Sequence, residues 1–311
     1  MSPLRSLGNT LSAFKDFYSR TGTEAHRPAP DPLPLITVDL LLVAGAGSGG
    51  GSTGGGGGAG GIVHATSIKL ASGGYIMNVG GGGATTPNQT AGNNGTDTTF
   101  GDPSINYLVA VGGGGGGAGA PGGVAGTLTG KDGGSGGGGA YHPSGGKQPN
   151  GDSTQTNTWS GPSPFSASAT ITGYGNPGGV LGTPGAGEYY GGGGAGGSVT
   201  DAGGGAGQPF PVVTGANFPS TPGVYGVGGD GTDYSAAGDD GAANTGNGGE
   251  GGWDFAGGTG GAGGSGVGFL IVPNANAPLI TTPAPSSAAG DSSARTVFKF
   301  TSPGPTSITI S

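Results

Sequence analysis

Glycine comes in near-pure blocks along this chain, and no other feature limits its fold so severely. The stretch Leu40 to Gly61, LLLVAGAGSGGGSTGGGGGAGG, runs from four apolar residues of strand type straight into glycine. A glycine loses more backbone entropy on folding than any other residue and has no side chain to bury in return. With 84 glycines among 311 residues and only 8% charged residues, the composition is neither that of an ordinary domain nor that of a charge-rich disordered chain. Collagen is excluded because glycine is not spaced every third residue but clustered, as at Gly112 to Gly117, Gly136 to Gly139 and Gly191 to Gly194. Silk-like sheets are disfavoured because long stretches rich in Thr, Asn, Pro and aromatics separate the blocks.

Each block sits beside a short apolar run. ITVDLLLVAG opens the body at Ile36 and GVGFLIVP, Gly266 to Pro273, closes it as the natural strand partner. Between them lie IVHATSIKL (Ile62 to Leu70), YIMNVG (Tyr75 to Gly80) and YLVAVG (Tyr107 to Gly112). Strands and glycine segments therefore alternate as one repeating design. An ordered glycine run can adopt the left-handed extended helix with three residues per turn, which has no internal hydrogen bonds. Such helices lie side by side because no Cβ separates them, and each N–H then bonds a neighbour's carbonyl, which satisfies every backbone group. Cα–H···O contacts add to that lattice. The packing predicts near-pure glycine in inner segments, as in Gly54 to Gly61 and Val111 to Gly119. Outer segments tolerate one small side chain in three, as in GSVTDAGGGAG and GGTGGAGGSG.

The fold class expected is mostly β and irregular: short strands plus packed polyglycine II helices, a polyglycine sandwich, with a short N-terminal α-helix. Three regions follow. Residues 1–35 form an arm in which Leu4, Leu7, Leu11, Phe14 and Tyr18 recur at helical spacing, followed by Pro28, Pro30, Pro32 and Pro34. Those five apolar residues are the docking candidates, with packing on the chain's own body as the alternative. Residues 36–273 form the glycine-rich polyglycine II and β body. Residues 274–311 form a Pro/Ala/Ser linker and a tail, TVFKFTSPGPTSITIS, that reads as a terminal hairpin or a strand added to a neighbour's sheet.

Charge and motifs exclude several functions. The net charge is −8, and no basic residue falls between Lys147 and Arg295, so the body repels phosphate backbones and no nucleic-acid partner is expected. There is no cysteine, no apolar run near the ~18 residues of a membrane span, and no signal-peptide pattern at the N-terminus. Patterns written around glycine carry little weight in such a chain. GxGxxG recurs without the strand, helix and downstream acid of a dinucleotide site. G-x-S-x-G around Ser52 and Ser135 lacks a strand-to-helix elbow, and Lys131 and Lys147 are not followed by the Ser or Thr of a P-loop. No carboxylate pair marks a glycosidase. GGDGTD, Gly228 to Asp233, matches one calcium-type repeat near Asp239, Asp240, Glu250 and Asp254, but a single unit cannot build the stacked site and solvated loop carboxylates are the simpler reading. No enzyme activity, cofactor or metal site is expected.

The variable segments Thr85 to Asn106, Tyr141 to Tyr190, Gln208 to Tyr225 and Asp230 to Phe255 hold most of the body's aromatics. Loops on rigid scaffolds are where recognition sites sit. Tyr141, Trp159, Tyr174, Tyr189, Tyr190, Phe210, Tyr225 and Trp253 are therefore receptor-binding candidates, with Phe218 among the same segments. Their rings suit the faces of sugars, with Asn, Thr and Asp groups fixing orientation. The alternative is that they pack on one another or on the lattice edge.

A strand of the type VDLLLVAGAGSGGG, successive glycine blocks with aromatic-rich interruptions, and a closing G-V-G-F-L-I-V strand resemble the glycine-rich domain common in bacteriophage tail-fibre and virion proteins. The alternation also resembles the tip adhesins of T-even-type phages, whose glycine motifs form a polyglycine II sandwich displaying hypervariable loops. SAFKDFYSRTG is similar to N-terminal arms of cyanophage structural proteins. The resemblance covers about Ile36 to Pro273; the N-terminal arm and the strand-rich tail depart from the tip adhesins, which puts a terminal position on a fibre in doubt. It implies a virion component, a tail-fibre or adhesin protein exposed on the particle surface. Its partners would be other tail, fibre or baseplate proteins and a host polysaccharide or outer-membrane receptor, in a homo-oligomer such as a trimer. A purely structural fibre or head-decoration subunit is the alternative, and an ice-binding bundle would need a flat, regular Thr or Ala face that the irregular loops do not offer.

Overall fold

The apolar runs become strands of a two-sheet sandwich, in a computed structural model that describes residues 35–119, 128–142, 146–179, 190–199, 202–210, 223–231, 237–253, 257–283, 287–290 and 295–311. The first sheet holds β1 (Ile36–Val43), β2 (Ile62–Leu70), β8 (Thr170–Tyr174), β11 (Val267–Pro273), β13 (Ser287–Gly290) and β14 (Arg295–Phe300), in the order β13-β14-β11-β1-β2-β8. The second holds β3 (Gly73–Val79), β4 (Thr98–Gly101), β5 (Asn106–Ala110), β12 (Ile280–Thr281) and β15 (Gly304–Ile310), in the order β12-β15-β3-β4-β5. Two short hairpin-like pairs complete the strands, β6 (Tyr141–His142) with β7 (Gly146–Lys147) and β9 (Gln208–Pro209) with β10 (Val224–Tyr225). Among the described residues the helices are one α-turn, α1 (Ser163–Ser166), and a 3-10 segment, Asn274–Leu279. The fold is thus mostly β and irregular, as the alternation of apolar runs and glycine blocks predicts.

The opening and closing strands pair directly. β1 and β11 are antiparallel, with Leu40 opposite Leu270 and Val43 opposite Val267. Alternation sends Leu40, Leu42, Leu270 and Val272 into the core between the sheets, against Met77, Phe100, Leu108 and Ile308. The intervening Leu41, Val43, Phe269 and Ile271 face the other way, under Phe210, Tyr225 and Ala195. A strand buried on both faces must be apolar at every position, which is why LLLV has no polar break. Each such leucine contributes roughly 1.5–3 kcal/mol by burial.

The tail departs from the hairpin reading. β14 joins the first sheet beside β11, while β15 joins the second between β12 and β3. The two strands separate because both carry core residues: Phe298 and Phe300 enter the core from one sheet, Ile308 and Ile310 from the other. The body from Ile36 to Ser311 is one compact unit that includes this tail. The helix candidates Leu4, Leu7, Leu11, Phe14 and Tyr18 lie outside the described residues.

Beyond the strand ends the glycine segments are held by backbone bonds with a period of three. In residues 44–52 the N–H groups of Ala44, Gly47 and Gly50 donate to Gly61, Gly58 and Gly55; those of Gly45, Ser48 and Gly51 donate to Thr96, Asn93 and Thr90; and those of Ala46, Gly49 and Ser52 donate to Gly264, Gly261 and Gly258. Successive residues thus address three different neighbours in rotation. Residues 54–61 repeat the pattern, donating to 246–252, to 111–117, and from Gly56 and Ala59 to Tyr190 and Gly193. They also accept from Ala44, Gly47 and Gly50, from Ser135 and Gly138, and from Gly229, so this segment is bonded to six others. A Cβ on Gly55, Gly56, Gly57, Gly58 or Gly60 would stand 2.0–2.2 Å from a neighbouring carbonyl oxygen, well inside contact distance. Glycine is required here by the closeness of neighbouring backbones.

Candidate recognition surfaces

Residues 44–61 form a hairpin of two glycine segments that leaves the sheets at Val43 and returns at Ile62. Its apex, Ser52 and Thr53, lies at the far end from the strands, and both residues are buried with positive φ (54° and 46°). That conformation is uncommon for residues bearing a Cβ. It is held by neighbours: Ser52 N–H donates to Gly258 O, Thr53 N–H to Trp253 O, and Gly119 N–H to Ser52 O. The turn at residues 87–90 reaches the same end through the Gly51 N–H bond to Thr90 O. There Pro87, Gln89 and Thr90 are exposed and Trp253 is half-buried. This far tip is one candidate surface.

A second lies at the edge of the sandwich. Trp159 is half-buried, with its ring 5.2 Å from that of buried Tyr107 and its Nε1–H donating to Pro162 O. Phe165 of α1 approaches Tyr107 edge-on at 6.2 Å. Tyr107 in turn donates to Asp102 Oδ2 at 2.8 Å, while Asp102 Oδ1 accepts from the Ser104 and Ile105 N–H groups. Hydrogen bonds from Ser104, Tyr107 and Ile105 hold the Asp102 carboxyl below its usual pKa, and burial with the Asp102 bond raises that of Tyr107. Asp102 forms part of the wall of a groove of about 1090 Å³ on the outer face of the second sheet, with Asp97 also on its wall, Ile76 and Asn78 on its floor and no basic residue in its lining.

The other sequence candidates divide by burial. Tyr190 is 2%, Phe210 4% and Tyr225 0% exposed. Phe210 and Tyr225 pack over the outer face of the first sheet, Tyr225 edge-on to Phe269 at 5.9 Å. Tyr190 contributes its carbonyl to Gly56 of the lattice, and burial raises its hydroxyl pKa. In this conformation none of these three rings offers a face to a ligand. Tyr174 on β8 is half-buried, edge-on to Phe210 at 5.6 Å. The backbone of Tyr141 lies in β6; its side chain, with Tyr189 and Phe218, lies outside the described residues.

The polar residues of the variable segments act chiefly on the lattice. Asn94 Oδ1 and Asp97 Oδ1 accept from Gly115 and Gly112, Gln155 Oε1 from Val111, and Asn247 Oδ1 from Val227. Gly112 and Gly115 are three residues apart, so these two side chains replace a missing neighbour segment at the lattice edge. Sequence reading missed this role. The signal available was the spacing of Asn94 and Asp97, three residues apart within a short glycine segment. The acids near the calcium-type repeat are likewise directed at backbone: Asp230 accepts from Gly204, Asp240 from Ala262, and Glu250 from Asp239. Among the described residues no three His, Asp or Glu side chains form a metal-binding group, and Asp254 lies outside them.

His64 on β2 meets Phe210 edge-on at 5.4 Å. Burial lowers its pKa, against a smaller raising effect of Asp39. Below about pH 6.5 the unfolded chain gains a proton that the folded chain resists, so this contribution to stability is whole above that pH and is lost as pH falls toward the folded value. Thermal melts between pH 7 and pH 5 should therefore fall more steeply for the wild type than for His64→Gln. Parallel profiles would show that His64 does not carry the difference.

Residues 29–272 match the family model described as Glycine-rich domain. No curated protein and no solved structure matches the chain.

Proposed function

The chain belongs to the glycine-rich domain family, and from that footing we propose that it is a bacteriophage virion protein, a tail-fibre or adhesin component whose glycine body presents connecting segments to a host surface. The observation that carries the reading is the period-three bonding of residues 44–61 to surrounding segments. Three residues per turn without internal bonds is the signature of polyglycine II, and we assign these segments to that conformation. A bundle held by backbone bonds on every side is a stiff support whose free surface lies at segment ends. Stiffness lowers the entropic cost of binding by the loops it carries. Among the described residues the far tip with Trp253 and the edge with Trp159 each carry a partly accessible tryptophan, and ring stacking on saccharides is the chemistry they offer. The N-terminal arm would dock on the particle through Leu4, Leu7, Leu11, Phe14 and Tyr18. Resemblance to phage tail-fibre proteins in the strand and glycine-block alternation supports the setting.

A structural role without receptor binding, as a fibre or head-decoration subunit, is favoured by one observation: of the six aromatic candidates whose side chains are described, three are buried. Adsorption separates the two. Purified protein incubated with host cells should slow attachment of the phage, and Trp253→Ala or Trp159→Ala should weaken that competition about tenfold or more, in keeping with the cost of truncating an aromatic anchor. A folded wild-type protein that leaves adsorption unchanged would leave the structural role standing.

A further inference from the structure

Among the described residues the outer face of the first sheet is only partly covered. Phe210, Tyr225 and Tyr174 cover the end nearest the glycine segments. Toward the other end a pocket of about 520 Å³ remains, lined by Thr37, Asp39, His64, Thr66, Ile271 and Arg295 among others. That volume lies within the range of roughly 300–1,000 Å³ usual for small-molecule sites.

Its polar groups are placed by a β-bulge. The β1–β2 register shifts between Val38 and Leu40, and Ser67 opposite takes a positive φ of 59°. Bulges re-aim side chains. Here Ser67 N–H donates to Asp39 Oδ1 at 2.8 Å, and Arg295 on β14 reaches across β11 to donate from Nη1 to Asp39 Oδ2 at 3.0 Å. Each carboxylate oxygen is thus fixed by one donor, and each has a further lone pair to offer. The guanidinium carries five N–H donors, more than this contact uses. Thr37 and Thr66 add hydroxyls, and exposed Pro273 adds apolar surface.

We propose that this pocket binds a neutral saccharide ring, with vicinal hydroxyls bridging Asp39 and Arg295 and an apolar ring face on Pro273. The carboxylate and guanidinium cancel in charge, so an anion meets no surplus cation and a cation no surplus anion. A hydroxyl, both donor and acceptor, is the group that suits a fixed acceptor beside a fixed donor. Burial keeps His64 neutral near pH 7, which preserves one donor and one acceptor on its ring. The site lies on the sandwich face, apart from the far tip, and does not rest on the adhesin reading. A chain that binds sugars here without competing for cells keeps the pocket and loses the host-attachment role.

The test is a titration of the full chain with methyl glucoside, methyl mannoside and methyl galactoside, following the His64 ring protons by NMR, assigned through His64→Gln. At least one glycoside should give a saturable shift, with inorganic phosphate giving none. Asp39→Asn should weaken the affinity about tenfold, the loss of a charge-assisted bond. Thr66→Val, which leaves the ion pair and hence the fold intact, should weaken it about fivefold. No saturable shift with any of the three, an equal shift with phosphate, or an affinity that neither variant moves would overturn the proposal.

Discussion

Gly56→Val is expected to abolish cooperative folding. Gly56 lies mid-way along the segment bonded to six others, and a Cβ there would stand 2.0 Å from Gly229 O and 2.5 Å from Asp230 O. Both obstacles are backbone, so no rotamer change relieves them. Moving residues 228–231 aside would break the Gly229 N–H bond to Gly57 O, the Gly192 N–H bond to Gly229 O and the Gly251 N–H bond to Asp230 O. Each buried polar group left without a partner costs about 1–3 kcal/mol. Three such bonds, plus the strain of two further valine methyls, approach the ~5–15 kcal/mol of a whole domain. The variant should appear as insoluble protein or as a chain without a thermal transition. Gly74→Ala is the matched control: it lies in β3, where a Cβ would meet nothing within 4 Å, and should gain roughly 0.5–1 kcal/mol. A Gly56→Val protein melting at the wild-type temperature would mean that residues 54–61 behave as a linker, and the polyglycine II assignment would fall with it.

The parts legible in the sequence were those with a local signal. Leu40 to Val43 and Phe269 to Val272 read as strands and as partners, and they pair in the structure. What local reading could not supply was the second layer. A strand apolar at Leu40, Leu41, Leu42 and Val43 must be covered on both faces, and few bulky residues outside the strands are available except aromatics in the variable segments. Phe210 and Tyr225 therefore cover one face of β1 and β11. Their position in the variable segments carries no sign of that demand, though packing on the lattice edge is the alternative it leaves open. The tail failed differently: its alternation marks two strands, but β15 pairs with β3, far back in the sequence (Gly304 with Val79, Ile310 with Gly73), and non-local pairing leaves no trace in the strand itself. Asn94 and Asp97 read as loop residues because Asn and Asp favour turns; here they accept from glycine N–H groups, as a backbone carbonyl would. β4 lies within the same variable segment and is hidden for a different reason: Thr-Thr-Phe-Gly is too short to show a period.

β4 nevertheless carries the seam between sandwich and glycine segments, and Thr98→Val is expected to expose it. Thr98 is fully buried; its hydroxyl donates to Val43 O at 2.8 Å and accepts from Gly80 N–H at 2.9 Å. One side chain thus ties the end of β1 to the end of β3 at the points where both strands pass into glycine. Valine nearly matches threonine in shape but has no hydroxyl. Gly80 N–H would be left buried without an acceptor, at about 1–3 kcal/mol, and the bond to Val43 would be lost, at about 0.5–1.5 kcal/mol. Together these predict a loss of roughly 2–4 kcal/mol, read as a lower denaturant midpoint with an unchanged slope. Thr98→Ser keeps the hydroxyl and should cost only about 0.8 kcal/mol for the missing methyl. The order matters more than either value: if serine were as damaging as valine, packing and not the hydroxyl would hold the seam. If valine is the worse of the two, the passage from strand to glycine segment depends on a side chain that bonds both backbones, Val43 O and Gly80 N–H.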